Sequence, residues 1–556
     1  MKKLIALLLA LTMMFALVAC GGDKPAADNK TDAPKDSGFS AADVNVPAGS
    51  NETAGDSEVV DMVVYGLRNN SWDLAPWKNN GSTGNTIYLQ LYNGLLCSPG
   101  FGTPLEDMYM DMAESIEYSA DKVTATIKLR DYIHDSKGNP IKAEDVVFSL
   151  ETAPKVAGPY AKIATLIDSM EVVDELTLKI NLKTYAPGSW ETVLADCPVV
   201  SKAWYQSASE DELSNNPATT GAYVVKENIS GTTFTLEALD NFWQKDELRT
   251  PYQIVNAKQI KCVAISEDAM RVMALENGEL DIAWIENTSI PLFEGNDEFN
   301  LFPFYMTNPT TIVFDCSESS VFHDNANLRL ACLHAIDFEQ VRIAASGDFG
   351  FQGHDVAPAT CGDYNTEWDN EPYYDYDVNV ALEYLEKAGY TKDNAPTVHF
   401  MCKTMAPQMA AVAVIQNCLA QIGVEVVIDA YDQGLFDTYT SDPAQWDMSW
   451  QSGNMATGSV LEAWNWYYAE LDENGSVGFV KDAKLQELLQ TAKEKNDAES
   501  LEAFHDYALS MGYAVNAFNE QAYIVAEKGI TGLQFNIRAN ASLNACTFTD
   551  EFVPAE

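Results

Sequence analysis

The chain reads as an α/β protein. Segments in which apolar residues alternate, the period of a strand, take turns with segments in which they recur about every three to four positions, the period of a helix. The 556 residues are 47% hydrophobic and 21% charged, which suits a globular chain of roughly two to four folding units. No period of roughly 20–50 residues repeats, so a solenoid or propeller is excluded.

The elements follow in order along the sequence. Val59 to Gly66 is the first strand. Thr86 to Leu96 is expected as a helix with Ile87, Leu91 and Leu95 on one face. Glu117 to Leu129 reads as a hairpin turning at Ser119-Ala120-Asp121-Lys122. Ala143 to Glu151 is a helix and Leu176 to Leu182 a strand. Ala222 to Val225, Phe234 to Leu239 and Gln259 to Val263 are further strands. Ser266 is expected to cap a helix that runs to Asn277-Gly278. Asn327 to Ile336 and Val378 to Lys387 are amphipathic helices, the second stopped by Gly389. Thr397 to Cys402 is a strand, Met405 to Ile422 a long helix ending at Gly423, and Val424 to Ile428 a buried strand. Leu485 to Lys493 and Glu499 to Met511 are helices.

The N-terminus has a different character. Lys2 and Lys3 precede an apolar run, Leu4 to Leu17, that is short for a bilayer span but suits a secretory signal. Leu17-Val18-Ala19-Cys20 resembles a bacterial lipobox. That resemblance implies cleavage of residues 1–19 and a diacylglycerol on the Cys20 sulfur, anchoring an extracytoplasmic protein to the cell membrane. Gly21 to Ser57, dense in Ala, Asp, Gly, Pro and Ser, is expected as a disordered tether (residues 20–57 with the lipidated Cys20). As a coil it would span roughly 35 Å.

The formal charge is −48, with 34 Lys and Arg against 82 Asp and Glu; loss of residues 1–19 makes it −50. Nucleic-acid binding is not expected, because phosphate contacts need clustered cations. Docking on anionic lipid through surface charge is disfavoured for the same reason. Nine cysteines remain beyond Cys20, widely spaced and without a CxxC. They do not read as a disulfide framework, with one or two isolated disulfides left open for a protein outside the membrane. Cys262, Cys332 and Cys418 lie in apolar periodic segments and read as core.

Seven segments, in order between about residues 59 and 535, carry a resemblance. They are LRDYIHDSKGNPIKAEDVVFSLE from Leu129, NPATTGAYVV from Asn216, LDNFWQ from Leu239, ALENGELDIAW from Ala274, NANLRLACLHAID from Asn325, YDVNVALEYLEKAGY from Tyr376 and LAQIGVEVVI from Leu419. Together they resemble the extracytoplasmic solute-binding proteins of peptide and nickel ABC importers, bacterial solute-binding family 5. The resemblance implies a two-lobed, periplasmic-binding-protein-like (class II) fold with a ligand cleft between lobes. The first lobe would comprise residues 58–100, 215–306 and 515–556, with an accessory domain, 101–214, inserted in it. The second lobe would be residues 307–514. Closure about crossing strands would trap the solute, and the closed form would dock on the importer's permease subunits.

The motif residues also have physical readings. Asp145 near a helix start complements the helix dipole, Gly221 permits a tight backbone before a strand, and Arg329 and Asp337 would share one helix side.

Three stretches suit the wall of such a cleft, which needs apolar and aromatic surface with a few placed polar groups. In YGLRNNSWD, Tyr65 to Asp73, the family position lines the cleft, making Arg68, Asn69, Asn70 and Trp72 candidates. Arg68 either grips a ligand carboxylate in a fork or forms a surface ion pair. In QWDMSWQSGNMATGS, Gln445 to Ser459, many peptide-binding relatives carry a carboxylate that holds the peptide ammonium. Here Gly453 falls at that place with Asn454 beside it, behind Trp450; Trp446 reads as core. The ammonium would then meet another acid, such as Asp73 or Asp432, or the ligand presents none there. In AWNWYY, Ala463 to Tyr468, Trp464 and Trp466 either stack on the ligand or pack in the core.

Catalysis has little support: there is no Gly-x-Ser-x-Gly elbow, phosphate loop or His-Glu-x-x-His, and the six histidines are scattered. HFMCKTMAPQM, His399 to Met409, holds soft metal ligands, yet strand alternation separates His399 and Met401 from Cys402. No cofactor and no resident metal are expected. The leading expectation is a lipoprotein that captures a peptide or related small solute for an ABC importer. A surface receptor or adhesin with the same cleft and no importer, or a cleft hydrolase, are the alternatives.

Overall fold

The fold was established from a computed structural model. It describes residues 57–555 except 71, 79–87, 89, 98–107, 157–159, 184, 186–188, 251–252, 307–308, 360, 362, 453–458, 471–475, 534 and 536–540. The signal and tether readings, Cys20 included, lie outside the described residues, as do Gly453 and Asn454; the tether's last residue, Ser57, is described, and its Oγ accepts from Phe548 N at 3.0 Å.

A seven-stranded sheet is centred on the strand Val60–Leu67. That strand pairs in parallel with Ala257–Ala264 on one side and Ile282–Ile285 on the other. Having partners at both edges and cover on both faces, it is apolar almost throughout. Val63, Tyr65 and Leu67 enter one core cluster, and Val64 enters another with Leu275, Leu280 and Val525. Tyr223–Ile229, Thr233–Ala238, Phe299–Tyr305 and Gln521–Glu527 complete the sheet.

A second sheet has five strands, in the order Glu425–Tyr431, Thr397–Lys403, Met448–Gln451, Thr310–Phe314 and Ala514–Phe518. The first two are parallel and are linked through the helix Ala406–Ala420. A third sheet, four-stranded, spans Ala113 to Leu182. Its hairpin, Ala113–Tyr118 with Thr124–Leu129, turns at the expected residues, where Lys122 N–H donates to Ser119 O at 2.9 Å. The overall architecture is a two-lobed α/β fold.

The chain passes between the large sheets twice: from Phe299–Tyr305 to Thr310–Phe314, and through residues 519–520 from Ala514–Phe518 to Gln521–Glu527. Ala514–Phe518 belongs to the five-stranded sheet and Gln521–Glu527 to the seven-stranded one, so the change of sheet falls after residue 518.

Local chemistry sets the helix limits. Asp377 caps Val378–Lys387 by accepting from Asn379 N and Val380 N, and Gly389 beyond its end has φ +91°. The expected close approach at Gly221 is present, since a Cβ there would stand 2.3 Å from Gln90 O. Asp145 sits in the first turn of Ala143–Val156 and accepts from Lys142 N at 2.8 Å and Lys202 N at 2.7 Å.

Several expectations are corrected. Ser266 does not cap its helix; the cap position of Asp268–Glu276 is Glu267, without a side-chain bond. Arg329 and Asp337 do not share a helix. The helix Ala326–Ala335 ends before Asp337, whose carboxylate caps the next one, Phe338–Ser346, by accepting from Gln340 N. The expected helix 86–96 stops early, because Leu96 already pairs with Met110 as a strand. Glu425–Tyr431 lies at a sheet edge and is only partly buried, not the buried strand expected. All nine cysteines of the described residues are free, and Cys262, Cys332 and Cys418 are buried.

Candidate ligand cleft

The end of the central strand Val60–Leu67 delivers Arg68 to the rim of the seven-stranded sheet. Its guanidinium lies 3.7 Å above the Trp284 ring, one strand away. Arg68 Nη1 stands 3.5 Å from Glu286 Oε1. Glu286 follows the strand Ile282–Ile285 and is also 3.5 Å from Arg271 Nη2. Arg271 is held rigidly: it donates to Trp284 O, Ile265 O, Ser266 O and Asp268 Oδ1, each at 2.9 Å.

Glu520 joins this wall from the crossing segment. Its backbone O accepts from Met306 N at 2.9 Å, which ties the two crossings together. Asn287 Nδ2 donates to Gln521 O at 2.9 Å, which sets Glu286–Asn287 beside Glu520–Gln521. Burial raises the Glu520 carboxyl above its ordinary range; the Glu286 charge adds to the rise and Arg68 opposes it. Among the described residues no hydrogen-bond donor or ion-pair partner reaches the Glu520 carboxylate. Two guanidinium groups, Arg68 and Arg271, thus face three carboxylates, Asp268, Glu286 and Glu520, leaving surplus negative charge at the crossing. Sequence reasoning missed Glu286, Glu520 and Trp284, because only the strand pairing of Ile282–Ile285 with Gln521–Glu527 brings them together.

The structure sorts the expected contacts. Asn69 and Asn70 are exposed next to Arg68. Trp72 is engaged at the seven-stranded sheet: its Nε1 donates to Asn228 Oδ1 at 3.0 Å and its ring meets Phe234 edge-on. Trp450, in the strand Met448–Gln451, is 4% exposed, and its ring centroid is 6.2 Å from that of Phe518, immediately before the crossing segment. Trp464 is a correction. It is 0% exposed and donates Nε1 to Asp355 Oδ1 at 2.8 Å, so it is core. Trp466, on the same helix Val460–Tyr468, is 50% exposed. Trp446 is core as read, giving Nε1 to Tyr439 O.

The two acids offered as substitutes are committed elsewhere. Asp73 accepts from Ala75 N and Ser214 Oγ. Asp432 caps the helix Gln433–Thr440 by accepting from Leu435 N. Of the soft ligands near His399, Cys402 Sγ lies 3.8 Å from Met409 Sδ, and His399 is not with them. His399 is exposed and pairs with Asp429 at 2.7 Å, whereas Met401 and Cys402 are buried.

Behind the second lobe's strands lies a buried polar knot. Asp355 Oδ2 meets His505 Nδ1 at 2.8 Å, the His505 ring stacks on Trp368 at 4.2 Å, and Asn516 Nδ2 donates to Asp355 O at 2.8 Å. It fixes Asn516 three residues before Asn519, which exchanges backbone hydrogen bonds with Phe351. The knot therefore braces one crossing segment.

Comparison with known proteins places this architecture. The model of the bacterial extracellular solute-binding proteins, family 5 (middle), matches residues 107–475. The chain is 25% identical to the oligopeptide-binding protein OppA of Bacillus subtilis strain 168 over 419 residues, 68% of this chain and 73% of that protein. Its fold matches HbpA2 from Haemophilus parasuis with a TM-score of 0.75 at 18% identity, covering 88% of this chain and 100% of the other. It matches DppA from Helicobacter pylori, solved with the peptide STSA, with a TM-score of 0.69 at 18% identity, covering 88% and 98%. The family is one of binding proteins rather than enzymes. The chain belongs to the bacterial extracellular solute-binding proteins of family 5.

Proposed function

We propose that this protein captures a peptide or related small solute bearing a cationic group, in the cleft between its two lobes, and delivers it to an ABC importer. Family membership and the peptide-binding relatives support the solute class. The observation that carries the cationic group is Glu520, a half-buried carboxylate on the crossing segment that has no donor among the described residues. A ligand ammonium there would meet Glu520 and Glu286, while Arg68, above the Trp284 ring, would turn its guanidinium to a ligand carboxylate. Asn69, Asn70 and Trp466 are exposed and would contribute polar and aromatic contact; Trp450 would support the wall from behind. Gly453 and Asn454 stay in this reading as contacts from the second lobe.

The lobes would close about the two places where the chain passes between the large sheets, and the closed form would engage the permease subunits. Lipidation of Cys20 and the tether would hold the body near the membrane, a reading supported by the lipobox-like Leu17–Cys20 sequence. No helix of the described residues is long and apolar enough to cross a membrane.

The test is a thermal-shift screen of the purified protein against peptides of varied length, opines, sugars and metal chelates. A binder must stabilise the folded form. Stabilisation by peptides or other amines is expected; no stabilisation by any class would contradict the reading.

A further inference from the structure

The second lobe holds a cavity of about 590 Å³, separate from the crossing segments, whose lining includes Ser317, Glu318, Asp324, Arg329 and Lys481. Arg329 is its unusual member. It is 2% exposed, on the helix Ala326–Ala335. Its Nε donates to Met511 O at 2.9 Å and its Nη1 to Phe322 O at 2.7 Å. The guanidinium lies 4.4 Å from the Tyr513 ring centroid. Among the described residues no carboxylate comes within salt-bridge distance of it, and no acceptor meets Nη2. Nη2 is not among the sealed, unpaired polar atoms, so it faces the cavity that the residue lines.

A buried charge without a counter-charge is costly unless something completes its pairing. Asp482, the partly buried acid of the lining, is already committed. Its Oδ2 accepts from Tyr507 and Tyr513 hydroxyls, and its Oδ1 accepts from Lys484 N and Leu485 N. The other two acids, Glu318 and Asp324, are exposed and so stand at the mouth. The exposed rim is mixed, with Glu318 and Asp324 beside Lys481 and His323; an unpaired guanidinium below and two carboxylates above match a zwitterion, and phosphate is the competing anion that the titration must separate. The volume is within the range of small-molecule sites.

We infer that this cavity binds a small zwitterionic α-amino carboxylate, its carboxylate on Arg329 Nη2 and its ammonium toward Glu318 and Asp324. It is a second site, independent of the cleft, and it does not rest on the proposed function.

The experiment is calorimetric titration of the full chain with L-leucine, leucinamide, N-acetyl-leucine and inorganic phosphate. The same titrations are run on Ala326→Trp, which fills the cavity from a half-buried helix position, and on Glu520→Gln in the cleft. Leucine should bind wild type and Glu520→Gln alike. Leucinamide and N-acetyl-leucine should each bind at least ~10-fold more weakly, the loss of one charge-assisted pair. Ala326→Trp should abolish leucine binding without lowering the thermal midpoint of the free protein by more than a few degrees. No heat with leucine, equal binding of leucinamide, tighter binding of phosphate, or leucine binding retained in Ala326→Trp would each overturn the inference. Loss of leucine binding in Glu520→Gln would assign it to the cleft and overturn it as well. If Ala326→Trp fails to fold, the four ligands on wild type and Glu520→Gln decide the matter alone.

Discussion

Trp464 gives its indole N–H to Asp355 Oδ1 at 2.8 Å, while His505 Nδ1 meets the other oxygen of the same carboxylate at 2.8 Å. Trp464→Phe removes that donor and leaves space in the core. It should destabilise the protein by about 2–4 kcal/mol and change solute affinity less than twofold. Trp466→Ala, two residues on and half exposed, should leave stability within about 0.5 kcal/mol. Denaturant midpoints of the two variants check the contrast, and equal losses would contradict it.

Asp111 is buried between the amides of Asn93 and Gln253. Burial pushes its carboxyl up to about 7, against those donors and Arg130, which pull it down. The folded protein therefore keeps this proton to higher pH than the unfolded chain, where the group titrates near 3.8. Between those values the folded state binds more protons, so this contribution is fullest at the acid end and falls as pH rises toward 7. The slope is at most about 1.4 kcal/mol per pH unit. Asp111→Asn should gain stability relative to wild type between pH 5 and 7.5 (about two such units). Parallel denaturation curves at the two pH values would contradict this.

Gly423 and Gly389 both have positive φ, +85° and +91°, but differ in surroundings. A Cβ on Gly423 would stand 2.0 Å from Lys392 O, whereas one on Gly389 would meet nothing within 4 Å. Gly389→Ala should cost about 1 kcal/mol from backbone strain alone. Gly423→Ala should cost clearly more, because the Lys392 backbone must move. Thermal midpoints of the two variants read the difference.

Strong periodicity with clear end signals was legible in the sequence. Val378–Lys387 was delimited at both ends, since Asp377 and Gly389 mark its limits. Ser266 misled because Asp268 turns its side chain to Arg271 and Ser289 and leaves the helix start without a side-chain cap. Asp337 follows its apolar helix run without a break in pattern, although Asp-Phe-Glu-Gln has the spacing of a cap on Gln340 N. At the cleft, Arg68 could be found because it directly follows the first strand. Glu286 and Glu520 could not: the neighbouring bond from Asn287 to Gln521 spans 234 residues, and only the folded sheet makes it local. Trp464 and Trp466 share one short helix and one residue type, and burial alone separates them.

The most direct test of the cleft is the dissociation constant of a stabilising peptide for wild type and Glu520→Gln, measured alongside the N-acetylated form of the same peptide. The account predicts that Glu520→Gln and acetylation each weaken binding by at least ~10-fold and that the two losses do not add, because they remove the same charge pair. Unchanged affinity in Glu520→Gln, with the free amine still required, would place the ammonium elsewhere and contradict the account.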